Sequence, residues 1–495
     1  MKVLCLGNNT ELTDQMTSEL AAIDNTKNYG LLSDLESELD LANLVLKDGY
    51  YHTSVLDMTV SKISQLSKQF DIVKILDQSV EIWNHPDEFY NTHRMALSLP
   101  CPVEWLNTKD KKQVQYWTDL VESNKSFCIF PFIELLTNNN HTTVCCRSTK
   151  PIVNIDHLVD FATDTNYSAI RKKMLHGTPL PEHCSACYKL ESRGIKSARQ
   201  QETVEWAIRL NLSTVDDLKK IYKPVYYEVR PSNVCNIMCR ICHPESSNKI
   251  EKEWKTLGWI ESDKKTAYSN FDIVDTDDIK KLYVAGGEPT AMPEFYNFLK
   301  TCIDKQDIHF EFLINTNAVK ITDKLLELTR EFNNLQFIIS IDGFEQANDY
   351  SRWGSEWHTV IANTDKLIQI GHKVSFNVTL SLYTIFTFAD LLEFLDKRFP
   401  DCLIHTQFAE NIYPFIFEFS AELIIRLEKL RSLDAYKNDQ LLASFIEGVI
   451  HSAKHSQLDR AQLQHFFNFN DTLDISRNSC LNDYIPELET LRELL

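Results

Sequence analysis

The chain has 495 residues, 43% hydrophobic and 24% charged, the balance of a globular protein long enough for several packed domains. A formal net charge of -19 argues against a broad phosphate-binding surface, because nucleic-acid affinity comes from clustered Lys and Arg, so no nucleic-acid partner is expected. No apolar run reaches the roughly 20 residues that a spanning helix needs, and the stretch from Met1 to Asp14 lacks the features of a secretory signal; no membrane partner and a cytoplasmic location are expected.

Residues 1–115 alternate short apolar runs (Val3 to Leu6, Ile72 to Leu76) with amphipathic stretches such as Val60 to Phe70, which predicts a small α/β domain without a recognisable motif. Its basic patch, Lys109 to Lys112, reads as a solvated helix start. Residues 116–215 differ in kind, with widely spaced cysteines among polar loops. Thirteen cysteines in a chain with no secretory features point to metal ligation rather than disulfides. From residue 216 to 410 the pattern is regular. Apolar strands are predicted at Val225–Val229, Leu282–Ala285, Phe310–Ile314, Phe337–Ile341, Val374–Leu380 and Leu403–Phe408. Helices are predicted between them at Glu294–Lys305, Asp323–Arg330, Thr359–Ile370 and Ala389–Arg398. This alternation implies right-handed βαβ units and a parallel sheet, open or curved into a partial (β/α)6 barrel, with ligands at the carboxyl ends of the strands. Residues 411–495 read as a helical cap.

The loop after the first of these strands holds Cys235, Cys239 and Cys242 in a C-x3-C-x2-C spacing. Three thiolates on one site leave two readings. A structural zinc demands a fourth ligand, for which only the adjacent His243 offers itself, in an awkward position. A four-iron cluster bound through three irons keeps the fourth open to an outside ligand. Each later strand also ends in a polar break: Gly286-Gly287-Glu288-Pro289, then Asn315-Thr316-Asn317, then Ser340-Ile341-Asp342-Gly343, with Arg352 following. A Gly-Gly pair lets backbone approach closely and the proline fixes the turn.

This ordered set resembles the radical S-adenosylmethionine (SAM) superfamily. The resemblance implies a [4Fe-4S] cluster on Cys235, Cys239 and Cys242 with SAM on its open iron. Gly286, Gly287, Glu288 and Pro289 would receive the SAM amino group, Asn317, Ser340 and Asp342 would serve the ribose and the floor of the site, and Arg352 would pair with the SAM carboxylate. Two positions depart from the family pattern: Ile241 stands where an aromatic usually packs near the adenine, and Ala318 where glycine is more usual.

Upstream, Cys128, Cys145, Cys184 and Cys187 with the Arg171–Pro179 and Cys187–Arg199 runs resemble the auxiliary-cluster module called twitch or SPASM, here preceding the core. Cys145 rather than Cys146 is the expected ligand, and Asn140, in place of a glycine, is expected to tolerate the left-handed conformation. Iron-sulfur and zinc both fit four thiolates. Cys5, Cys101, Cys302, Cys402 and Cys480 read as ordinary buried thiols. The family implies a 5'-deoxyadenosyl radical that takes a hydrogen atom from a peptide or protein, with an electron donor such as flavodoxin or ferredoxin. The alternatives are oxidation or epimerisation of a small molecule or sugar and, in another class, a zinc-stabilised interaction protein without catalysis.

Overall fold

The computed structural model describes residues 112–495 apart from 139, 149, 159, 193–196, 262–270 and 410; before these it describes six strand segments and the backbone at 108–111. The amphipathic stretch Val60 to Phe70 and Cys101 lie outside the described residues. The chain divides into two compact units.

The first unit comprises residues 1–132, 169–222 and 438–441. Its six strands are β1 (Val3–Leu6), β2 (Leu31–Leu32), β3 (Leu44–Lys47), β4 (Tyr50–Thr53), β5 (Ile72–Ile75) and β6 (Val103–Trp105). They form one sheet in the order β2-β3-β4-β1-β5-β6. β4, β1, β5 and β6 are parallel neighbours, and β3 runs antiparallel to both β2 and β4. The Lys109–Lys112 patch opens the helix Thr108–Ser123, which packs on helix Ala198–Arg209. Trp117, fully buried, donates its indole N–H to the Leu212 carbonyl at 2.7 Å. Helix Ala198–Arg209 starts with a capping box, in which Ser197 and Gln200 satisfy each other's backbone N–H.

The second unit comprises residues 133–168, 223–437 and 442–495. Its sheet has eight strands in the order β14-β13-β12-β11-β10-β9-β7-β8. The six predicted strands are present as β9 (Tyr226–Val229), β10 (Lys281–Val284), β11 (Glu311–Thr316), β12 (Leu335–Ser340), β13 (Lys373–Leu380) and β14 (Leu403–Phe408), all parallel to their neighbours. Two further strands extend the sheet from the cysteine-bearing segment: β7 (Glu134–Asn138), parallel to β9, and β8 (His141–Thr143), antiparallel to β7. With β14 at one end and β8 at the other, the sheet is open.

Alternation along the strands shows what covers each face. Leu282 and Val284, Phe312 and Ile314, Phe337 and Ile339, and Phe376 and Val378 are all fully buried. The interleaved residues, Tyr283, Leu313, Asn315, Ser340, Asn377 and Thr379, are only half-buried. A parallel sheet packed on both faces would be apolar throughout; here one face packs on helices and the other carries polar groups at the carboxyl ends. The helices on the packed face, Pro293–Lys305, Asp323–Thr329, Trp357–Gln369 and Phe388–Arg398, follow the predicted alternation. After β14 the chain is helical, including Ala421–Lys429, Gln440–Lys454 and Arg460–Arg477. Of the scattered cysteines, Cys302 is buried as expected, but Cys402 is only half-buried and Cys480 is exposed. Cys480 flanks a short helix instead of occupying a strand or helix face that points to the core.

Burial, and then the nearby Arg330 cation, hold the His372 imidazole down from 6.5 to about 4. The unfolded chain takes up that proton near 6.5 and the folded chain does not until about 4, so stability should fall as pH drops through this window. His372→Gln should flatten that part of the profile. Urea midpoints measured across the window for both proteins check this, and parallel curves would contradict it.

Candidate metal and cofactor site

Because β9 to β13 run parallel, the residues following Val229, Val284, Thr316, Ser340 and Leu380 gather at one end of the sheet. The cysteine loop leaves β9 there and is tied down at several points. Glu288 N–H donates to the Val234 carbonyl at 2.7 Å, Met238 N–H to the Trp353 carbonyl at 2.8 Å, and Arg240 N–H to the Ser351 carbonyl at 2.7 Å. The glycine pair is the seat of this loop. Gly286 and Gly287 both adopt positive φ, +79° and +54°. A Cβ on Gly286 would lie 2.7 Å from the Arg230 Cβ, and one on Gly287 only 2.3 Å from the Val234 carbonyl oxygen. The close approach that requires glycine is therefore to the chain's own cysteine loop.

Glu288 is almost completely buried, and its carboxylate is occupied within the protein. It accepts from Thr290 N–H at 3.2 Å, from the Thr290 and Thr316 hydroxyls at 2.7 Å each, and from Asn317 N–H at 2.6 Å. Burial pushes its carboxyl up from the ordinary range, and these four donors pull it back toward the ionised form. Glu288 thus braces the end of β10 against the end of β11. Pro289, buried behind it, opens a short 3₁₀ turn. Asn317 donates its side-chain amide to Asn236 at 2.7 Å, which links β11 to the cysteine loop. Ala318 is buried at φ +53°, the left-handed conformation that explains the family's preference for glycine there.

Ser340 donates to Asn315 at 3.2 Å. Asp342 is buried and accepts from Thr379 N–H at 3.1 Å and from Arg352 Nη1 at 2.9 Å. Arg352 is itself buried, and its Nε–H has no partner. A buried guanidinium N–H of this kind is costly unless an acceptor arrives. Ile241 is half-buried against the main core, and the His243 ring is hydrogen-bonded to Asn411 at 2.6 Å.

Cys235 and Cys242 are both pushed up to about 12, by burial first and then by neighbouring thiols, and burial also raises Cys239. Cys239 raises both Cys235 and Cys242, and Cys235 raises Cys242 as well, so the three share one electrostatic site. Among the described residues no three His, Cys, Asp or Glu side chains close on a single ion. A four-iron cluster does not require that, since each thiolate binds a different iron and metal binding itself deprotonates the thiol. The three-thiol donor set and the open Arg352 N–H therefore fit an iron-sulfur cluster with an anionic ligand group beside it.

In the first unit Cys128, Cys184 and Cys187 form a second electrostatic group. Cys184 and Cys187 share one face of helix Pro181–Glu191. Burial raises Cys128 well above the ordinary range, with both other thiols adding to it, and raises Cys184 to about 11. Arg199, fully buried, organises this group. It donates to the Phe127 carbonyl at 2.7 Å, beside Cys128, and makes two 2.8 Å bonds to Glu191 on the helix that carries the other two thiols. Cys145 belongs to the second unit, next to the more exposed Cys146. The Asn140 amide bridges Asn154 at 3.1 Å and Asp156 at 2.9 Å, which fixes the turn by side-chain bonds.

Residues 229–396, from the last residue of β9 into helix Phe388–Arg398, match the family model of the Radical SAM superfamily. The chain carries a radical SAM domain. Two curated relatives, both named GTP 3',8-cyclase, resemble the chain: the Haemophilus ducreyi protein is 23% identical over 37% of the chain, and the Campylobacter lari protein 25% identical over 38%. The chain spans 51% and 57% of their lengths. Among solved structures, Streptococcus suis SuiB bound to the precursor peptide SuiA aligns with 59% of this chain and 61% of that one, at 15% identity and TM-score 0.29. The structure of anSMEcpe with AdoMet and the Kp18Cys peptide aligns with 47% and 63%, at 14% identity and TM-score 0.32. Such distant superpositions speak to neither substrate nor partner. Within the radical SAM domain, sequence reasoning missed Arg240, although it stands inside the cysteine motif, and Asn236, whose amide meets Asn317.

Gly287→Ala should drive the cysteine loop off its seat. After anaerobic reconstitution its iron content should fall toward about half of the parent's, the share held by the second thiol group, while Gly448→Ala, which meets nothing within 4 Å, should load normally. Equal loading of the two variants would contradict the assignment of the glycine pair as the loop's seat.

Proposed function

We propose that the protein is a radical SAM enzyme that modifies a peptide or protein side chain. The observation that carries the reading is that three thiols on a loop seated against the glycine pair lie within the matched domain together with a buried guanidinium whose Nε–H is unpartnered. When bound, a [4Fe-4S] cluster and SAM supply one-electron cleavage of the sulfonium to a 5'-deoxyadenosyl radical, which takes a hydrogen atom from substrate. Cys235, Cys239 and Cys242 would hold the cluster. Arg352, kept charged and oriented by Asp342, would offer its free N–H to the SAM carboxylate. The backbone of Gly286 to Pro289 would line the amino-group side, with the Glu288 side chain as brace rather than ligand. Ser340, Asn317 and Asp342 would border the ribose, and Ile241 would stand at the adenine position. The six parallel strands would act as a partial (β/α)6 barrel that excludes water from the radical.

The peptide assignment rests on the likeness of the Cys128–Arg199 segment to twitch and SPASM modules, and Arg199 supports it by tying Cys128 to Cys184 and Cys187. These three thiols would supply ligands to an auxiliary iron-sulfur cluster, and a flavodoxin or ferredoxin would supply electrons. A nucleotide or another small molecule is the second reading, favoured by the name of the curated relatives.

Cys239→Ala should reduce 5'-deoxyadenosine formation from SAM under dithionite by at least about a thousandfold, as expected for a step that depends wholly on the cofactor. Chromatography of the quenched reaction measures it. Cleavage at the parent's rate, or a parent that binds zinc and no iron, would contradict the reading.

A further inference from the structure

The C-terminal helix reaches the cysteine loop through two buried arginines from opposite directions. Arg240, between the second and third cysteines, projects out of the loop with its guanidinium 3.7 Å from the Tyr350 ring centre. It donates to the Tyr350 carbonyl at 3.0 Å, to Asn470 Oδ1 at 3.0 Å, to Ser479 Oγ at 3.0 Å and to Asp474 at 2.5 Å. Arg477 points the other way, from the last turn of helix Arg460–Arg477 into the loop. It donates to the Met238 carbonyl at 2.9 Å and grips Glu253 through Nε at 2.9 Å and Nη2 at 2.6 Å. Its side chain and that of Glu253 are both nearly inaccessible, so this is a buried, two-pronged ion pair.

Asp474 is the hub. Besides Arg240 it accepts from the Tyr350 hydroxyl at 3.0 Å, from Ser479 Oγ at 2.7 Å and from Leu481 N–H at 3.0 Å. Ser479 reaches it because Asn478 ends the helix in the left-handed conformation, at φ +50°, and turns the chain back. Thus the loop's middle, Met238 to Arg240, has two amides fixed by Ser351 and Trp353, and one carbonyl and one side chain fixed by helix Arg460–Arg477. Two buried arginines paired with largely buried carboxylates from distant parts of the sequence tie this loop, and paired buried charges specify one geometry better than they stabilise it.

We propose that Arg240 and Arg477, through Asp474 and Glu253, are positioning residues that hold Cys235, Cys239 and Cys242 in the cluster-binding arrangement before the cluster is bound. The C-terminal helix is then part of the cofactor site rather than a cover over it. This rests on the loop being the cluster loop, but its first test needs no metal.

The variant is Arg477→Gln with Glu253→Gln, which removes the ion pair without stranding either charge. In the full-length metal-free chain, amide exchange at 236–242 should rise about tenfold, the effect expected for losing a charge-assisted bond, while amides of β12 and β13 stay unchanged. In the reconstituted, reduced protein the cluster's EPR spectrum should broaden, because the thiolates sample several arrangements. Unchanged loop exchange overturns the proposal, as does an equal rise in the strands, or an unbroadened spectrum. Failure of the parent chain to take up iron would count against the cluster reading, which the metal-free exchange does not depend on.

Discussion

A loop that carries three thiols and almost no regular secondary structure has to be held in place by its neighbours. Thiols brought together out of water resist ionising and repel once ionised, so the loop has no intrinsic preference for the shape a cluster requires. Here the parallel sheet supplies that shape. By ending β9 to β12 at one level, it delivers the glycine pair, the Thr316–Asn317 turn and the Asp342–Arg352 pair to the same place. Each of these reaches the cysteine loop or the space beside it by a short contact: Glu288 N–H to Val234, Asn317 to Asn236, and the carbonyls of Ser351 and Trp353 to Arg240 and Met238.

The chemistry of such a site and its architecture use the same residues differently. Glu288 lies in a segment that resembles a SAM-binding motif, yet its carboxylate has four donors from its own chain. Its contribution is to fix two loop ends, which leaves ligand contacts to backbone groups around it. Arg352 is the converse case. Asp342 engages one edge of the guanidinium and leaves a buried N–H open, an arrangement that gains stability when an anion completes it.

Much of this was legible in the sequence. The strands declare themselves as short apolar runs between helical stretches, with β10 and β11 alternating on one buried face as Leu282 and Val284 or Phe312 and Ile314 do, and the polar breaks after them mark where the site lies. The contribution of β7 and β8 was hidden, since Glu134–Asn138 is short and holds only two apolar residues, and His141–Thr143 holds none. Ala318 could be flagged as a departure from glycine, but only the backbone reveals that it is left-handed. The partners of Arg240 lie up to 239 positions away. No local pattern announces such a pairing; an arginine placed among metal-binding cysteines is the only hint.

The account stands or falls on whether the three thiols hold a cluster with a position open to SAM. The most direct measurement is the EPR spectrum of the reduced, anaerobically reconstituted protein, with the second thiol group removed by Cys128→Ala, Cys184→Ala and Cys187→Ala, recorded with and without SAM. The account predicts a four-iron signal whose g-values shift when SAM is added. A signal that SAM leaves unchanged, or a protein that reconstitutes with no iron at all, would contradict it.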